Sequence, residues 1–262
     1  MQLKFFCPRW GSENLSWETF MLQVKETGYD GIEYAITSDT AASTLEQVWN
    51  LAERYQLQIL PQHFDTCSAD FSVHFDLYAK WLERIKQYPS IKINSQTGRD
   101  IFSFEQNSAL ISLAGPGVIH ETHRGKFSYA AHVTKPYLEA YSDLRLTFDI
   151  SHWVNVAESY LDDQMEAVEL AIDHTSHIHA RVGFPEGPQI PDPRLPEWQE
   201  AVDRHVGWWS KIAERYGQHD ELTITTEFGP FPYLTHKVSQ YDINVYMMRM
   251  LREKLIPAFS LQ

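Results

Sequence analysis

Four short stretches of this sequence carry side chains able to hold a cation or move a proton: "HETHRG" from His120, "FDISHW" from Phe148, "HIHARVG" from His177 and "TEFGP" from Thr226. Each places an acidic or imidazole group where an apolar run gives out, at Glu121, Asp149, His179 and Glu227. Taken singly, a Glu at a strand end is usually solvated or capping, and a lone His is usually a satisfied structural one. Four in succession differ, because three carboxylates gathered without a cation would repel one another strongly. Three carboxylates and one imidazole form a hard, oxygen-rich ligand field that suits Mn²⁺ or Mg²⁺ and also accepts Co²⁺ or Zn²⁺. One divalent ion, with Mn²⁺ the first choice, is therefore expected on Glu121, Asp149, His179 and Glu227.

Those four can meet only if the strands bearing them are neighbours. Short runs rich in β-branched and aromatic residues alternate with amphipathic helical stretches along the whole chain, a pattern that predicts α/β with a parallel sheet. The strand candidates begin at Leu3, Gly31, Leu57, Ile91, Gly117, Leu144, His177 and Leu222. Eight is the number required by a (β/α)8 TIM barrel, here a single domain over residues 1–262. The ends of strands five to eight then converge on one side of the barrel mouth. Among the helices, "STLE" from Ser43 reads as a capping box. "WETFMLQV" sets Trp17, Phe20, Met21 and Val24 on one face as core, and Trp208 and Trp209 read as core or interface. Residues 183–198, dense in Pro and Gly, predict a long stiffened loop after strand seven, a candidate substrate wall or lid.

Composition narrows the function classes. A chain of 262 residues with 43% hydrophobic residues can bury a substantial core without staples. Two cysteines, Cys7 and Cys67, are too few for a disulfide framework and are expected to be reduced. The first residues, "MQLKFFCPRWG", lack the apolar stretch of a secretory signal, and no apolar run approaches a membrane span, so a cytoplasmic protein is expected. The net charge of -13 opposes the neutralisation of phosphates on which nucleic-acid binding depends. A small molecule is the expected partner.

From "GYDGIEYAI" through "HETHRG", "FDISHW" and "IHARVG" to "TEFGP", the sequence resembles the xylose isomerase-like TIM-barrel superfamily, which includes ketose 3-epimerases and sugar phosphate isomerase/epimerase proteins. The resemblance covers nearly the whole chain. It implies that strands five to eight supply Glu121, Asp149, His179 and Glu227 to a divalent metal, and that His152, expected in the loop after strand six, is a substrate-side histidine. In the ketose epimerases two glutamates on opposite faces of the substrate exchange a proton through an enediolate, a role that falls here to Glu121 and Glu227. The resemblance also implies a sugar or polyol substrate and a homo-oligomer. "HETHRG" and "HARVGFPEGPQIPDPR" depart from the standard epimerase motifs, which leaves the reaction itself open.

Around this centre, Arg181 lies two residues past His179 and so on the same strand face, and Arg194 lies on the Pro-rich loop. Either could hold hydroxyls, a carboxylate or a phosphate. Glu33, His63, Asn94, Gln96, Arg9 and Trp10 are further mouth candidates, with His123 and Arg124 close behind Glu121. Polar groups beside an aromatic platform suit a sugar. The leading expectation is a metal-dependent sugar or polyol isomerase or epimerase. A dehydratase on the same metal, an AP endonuclease-like nuclease and a non-catalytic sugar-binding barrel are the alternatives.

Overall fold

A computed structural model of the chain describes residues 1–218, 220–234 and 238–255. The alternating runs become β1 (Gln2–Pro8), β2 (Gly31–Ala35), β3 (Gln58–His63), β4 (Ile93–Ser95), β5 (Val118–Glu121), β6 (Leu146–Phe148), β7 (Thr175–His179) and β8 (Glu221–Thr225). All pair in parallel with their sequence neighbours, and β8 pairs with β1 to close a barrel. Closure leaves no unpaired edge. The helices between them are α1 (Trp17–Thr27), α2 (Ala42–Tyr55), α3 (Phe71–Ile85), α4 (Phe104–Ala114), α5 (Ala131–Ala140), α6 (Ile150–Ala157), α7 (Met165–His174), α8 (Gln199–Glu214) and α9 (Gln240–Lys254).

Strand alternation sorts side chains into two populations. Outward residues such as Phe5, Ile32, Ile59, Phe148, Ile178 and Ile224 pack on helix residues including Phe20, Met21, Val24, Trp208 and Trp209 in one continuous apolar layer. Inward positions are largely polar and buried: Glu33, Gln62, Asn94, Glu121, Thr147, His177, His179, Thr223 and Thr225. The apolar layer stabilises the barrel, which frees the barrel interior to hold hydrogen-bonded polar groups.

Two local expectations change. The helix expected to start with the capping box at Ser43 begins at Ala42 after Ala41, which makes no side-chain cap bond. Ser43 therefore sits inside the first turn, whereas Ser103 and Gln106 form a reciprocal box on α4. His152, expected in a loop, lies in the first turn of α6, because Asp149 caps that helix directly after β6 and accepts from the Ser151 N–H. Both cysteines are free, Cys7 buried and Cys67 exposed. Among the described residues no helix is long and apolar enough to cross a membrane.

Candidate metal centre

Glu121 is the last residue of β5, Asp149 follows β6, His179 ends β7 and Glu227 lies two residues past β8. All four are buried, and one ligand atom from each falls within 4.8 Å of the others. His179 Nδ1 stands 2.9 Å from Glu227 Oε2 and 3.7 Å from Glu121 Oε1. Yet among the described residues neither Nδ1 nor that Glu227 oxygen has a hydrogen-bond partner. Two buried polar atoms so close, and not aligned on each other, are suited to a third centre between them. The donor set is one that a divalent cation fits.

The charges agree with this. Burial raises the Glu121 carboxyl and His179 opposes the rise, but Glu227, Asp149 and Glu33 add to it, leaving the group at about 7. For His179, burial opposes protonation, yet Glu227, Glu33 and Glu121 outweigh it and lift the imidazole well above its ordinary range. The metal-free centre thus retains protons where a cation would otherwise sit. Burial also raises Asp149, against the pull of Arg181.

Three of the four candidate ligands are held from behind. Glu33 lies 2.9 and 3.0 Å from His179 Nε2 through its two oxygens, so Nε2–H donates to it and Nδ1 is turned toward the ligand cluster. Gln62 Nε2 and Asn94 Nδ2 donate to Glu121 Oε2 at 3.1 and 3.3 Å, and Gln96 Nε2 donates to Oε1 at 3.3 Å. Arg181 Nη2 donates to Asp149 Oδ2 at 2.6 Å and also meets His152 Nε2.

Glu121 and Glu227 face a cavity of about 620 Å³ lined also by Trp10, Trp17, Tyr34, Phe64, Gln62 and Gln96. Arg9, His123, Arg124, Arg181 and Tyr233 complete most of its wall. Trp10 meets Tyr233 edge-on at 5.9 Å, and Trp17 meets Tyr34 at 4.7 Å. A Cβ on Gly229 would fall 2.2 Å from the Trp10 ring, so the missing side chain makes room for that indole. Arg9 is held over the Trp17 and Phe20 rings and donates to the Leu15 carbonyl.

The structure gathers Glu121, Asp149, His179, Glu227, His152, Arg181, Asn94 and Trp10 at the carboxyl end of the barrel, but not His63 or Arg194. His63 follows Gln62 on β3, and alternation turns it outward against Tyr78 and Trp81 of α3, where it bonds Ser95 and Thr66. Arg194 spends its guanidinium on Asp192 two residues away, at 2.6 and 2.8 Å, and does not line the cavity. The Pro-rich loop as a whole is absent from the cavity's described lining. It is clamped to the segment after β8 by Gln189, whose Oε1 accepts from Gly229 N–H at 2.7 Å. Gln62 and Tyr233 were not anticipated. An amide one residue before the end of β3, on the face opposite His63, was the available signal for Gln62.

Comparison with known proteins ends at the architecture. No family model matches the chain, and no curated protein does. Among solved structures, one described as "The crystal structure of AsfvAP:AG" superposes with a TM-score of 0.61 at 11% identity, covering 97% of this chain and 99% of that one. An AP endonuclease, family 2, from Brucella melitensis superposes with a TM-score of 0.53 at 10% identity, covering 95% and 98%. The likeness is one of fold. What the site does must be argued from its own residues.

Proposed function

We propose that the chain is a divalent-metal-dependent isomerase or epimerase of a sugar or polyol, with Glu121, Asp149, His179 and Glu227 as the metal ligands. The observation that carries this reading is the convergence of four buried ligand atoms within 4.8 Å, two of them without hydrogen-bond partners, at a cavity walled by aromatic rings. A bound divalent cation would supply Lewis acidity toward a substrate carbonyl, which makes the adjacent C–H acidic. Glu121 lines the cavity and takes the role of the group that accepts or returns the substrate's proton. Glu227 reaches the same cavity from the far side of β6 and β7, so one carboxylate takes the proton and the other returns it. Gln62, Gln96 and Asn94 hold Glu121 in place by donating to its two oxygens. The rings of Trp10 and Tyr233 offer apolar faces to the C–H side of a sugar.

Incubation of metal-loaded protein with inososes and with neutral, phosphorylated and carboxylated ketoses and aldoses in deuterated water tests this. Deuterium appearing at the carbon next to the carbonyl, with no other mass change, is the expected result. Loss of water would make the protein a dehydratase using the same first step. Metal binding without exchange or turnover across the panel would leave a sugar-binding barrel.

A second reading, hydrolysis of nucleic acid, draws on two observations. Glu121, His123 and His152 form a further candidate group beside the first, and an AP endonuclease is among the proteins of similar fold. The net charge of -13 weighs against it. Nicking of an abasic duplex, together with two or three zinc ions per chain, would favour this reading over the first.

A further inference from the structure

Arg124 occupies a position that its present neighbours do not satisfy. Its Nη1 faces His152 Nδ1 at 3.0 Å, while Arg181 Nη2 faces the other ring nitrogen of the same histidine. A guanidinium only donates, a neutral imidazole offers one acceptor, and an imidazolium offers none. In any protonation state, therefore, at least one of the two contacts sets N–H against N–H. Arg181 is anchored elsewhere, by Asp149 Oδ2 at 2.6 Å and Ser151 Oγ at 3.3 Å. Among the described residues Arg124 has only the Tyr233 hydroxyl, at 2.9 Å, as its other side-chain partner, and it makes no ion pair with a carboxylate. The arginine with the weaker hold is the one that a ligand can recruit.

Arg124, His123, Tyr233 and Arg181 line the same cavity as Glu121 and Glu227. The His123 ring lies 3.9 Å from that of His152, centre to centre, tilted by 51°. His152 Nε2 in turn lies 3.5 Å from Asp149 Oδ2. The cavity thus has two poles, a carboxylate cluster suited to a cation and an uncompensated guanidinium, with one imidazole ring between them. We infer that Arg124, with Tyr233 beside it, binds an anionic substituent of the substrate, a carboxylate or a phosphate. The substrate is then an acidic sugar derivative and not a neutral ketose. A planar guanidinium meets either oxyanion with two parallel N–H donors. Transfer of those donors to the anion also frees His152 to accept from Arg181 alone. This inference rests on the cavity being the reaction chamber.

The test is calorimetric titration of metal-free and Mn²⁺-loaded protein with D-glycerate, glycerol 3-phosphate and neutral glycerol. At least one anion should bind roughly 10-fold or more tighter than glycerol in both forms, and the tighter of the two distinguishes carboxylate from phosphate. Arg124→Gln should weaken that anion by roughly 10- to 100-fold without changing manganese content, with Arg124→Lys intermediate. Circular dichroism melts establish that each variant folds; Arg124→Lys and Tyr233→Phe carry the comparison if Arg124→Gln does not. Equal affinity for glycerol, no anion binding, or unchanged anion affinity in a folded Arg124 variant would overturn the inference. Failure to bind manganese would count against the proposed metal chemistry instead, since anion binding is also read in the metal-free protein.

Discussion

The imidazole of His179 is held through Nε2 by both carboxylate oxygens of Glu33, a residue 146 positions earlier in the chain, at 2.9 and 3.0 Å. Burial opposes ionisation of Glu33, but His179 and His177 outweigh it and keep the carboxyl well below its ordinary range. A charged acceptor behind a metal-ligating histidine fixes its tautomer and raises its basicity. Glu33→Gln should therefore lower metal affinity by roughly 10- to 100-fold while the fold persists. Competition against a chelating indicator measures this; an unchanged affinity would reduce Glu33 to a buried spacer.

Metal affinity should rise with pH through neutrality. Below about 7 the metal-free Glu121 holds a proton, and His179 holds one well above the ordinary imidazole range. A cation must displace those protons, so binding weakens as pH falls and releases protons at pH 6. Calorimetry in two buffers of different ionisation enthalpy reads the release directly. The same ion should raise the unfolding free energy by about 3 kcal/mol at a hundredfold excess over its dissociation constant. Asp149→Asn and His179→Gln should abolish most of that gain, and equal stabilisation in both variants would place the ion elsewhere.

Gly183 couples the long loop to the centre. A Cβ there would fall 2.8 Å from Ser151 Cβ and 3.0 Å from its Cα and carbonyl oxygen. Ser151 lies between Asp149 and His152, so Gly183→Ala must push the first turn of α6 and with it Asp149, a proposed metal ligand. A cost of about 1–3 kcal/mol is expected for such overpacking. Urea midpoints and metal content per chain should fall together, and a drop in stability with full metal retention would show that the loop absorbs the strain.

His205 gives a pH dependence that is independent of the metal. Its Nδ1–H donates to the Ala201 carbonyl at 2.8 Å, and Nε2 accepts from the Gly183 N–H at 3.1 Å. Burial lowers its pKa from 6.5 to about 4. Between those values the unfolded chain binds a proton that the folded protein refuses, so stability falls as pH drops from about 6.5 toward 4. The loss reaches about 3 kcal/mol for this one group. His205→Gln removes the titration, so the gap between wild type and variant in urea midpoint should shrink from pH 7 to pH 5. A constant gap would mean that His205 does not titrate differently in the two states.

Much of this protein was legible in the sequence because periodicity is local. Period-2 runs mark each strand, and the same alternation sets Arg181 on the face of His179 two residues before it. The cluster of Glu121, Asp149, His179 and Glu227 follows from successive strands being neighbours, a rule of connectivity that needs no coordinates. Alternation also carried the signal that Gln62 and His63 face opposite ways, although an imidazole at a strand end drew the reading to His63.

Partner choice was decided only by the tertiary structure. Nothing in "PDPR" reveals that Asp192 claims the Arg194 guanidinium, and nothing near Gly31 reveals that Glu33 backs an imidazole on β7. The meeting of Arg124, His152 and Arg181 joins three segments in the same way. A strand pattern fixes which side of the sheet a side chain takes. Barrel closure fixes which groups meet at 3 Å, because those distances depend on register, tilt and the packing of every strand at once.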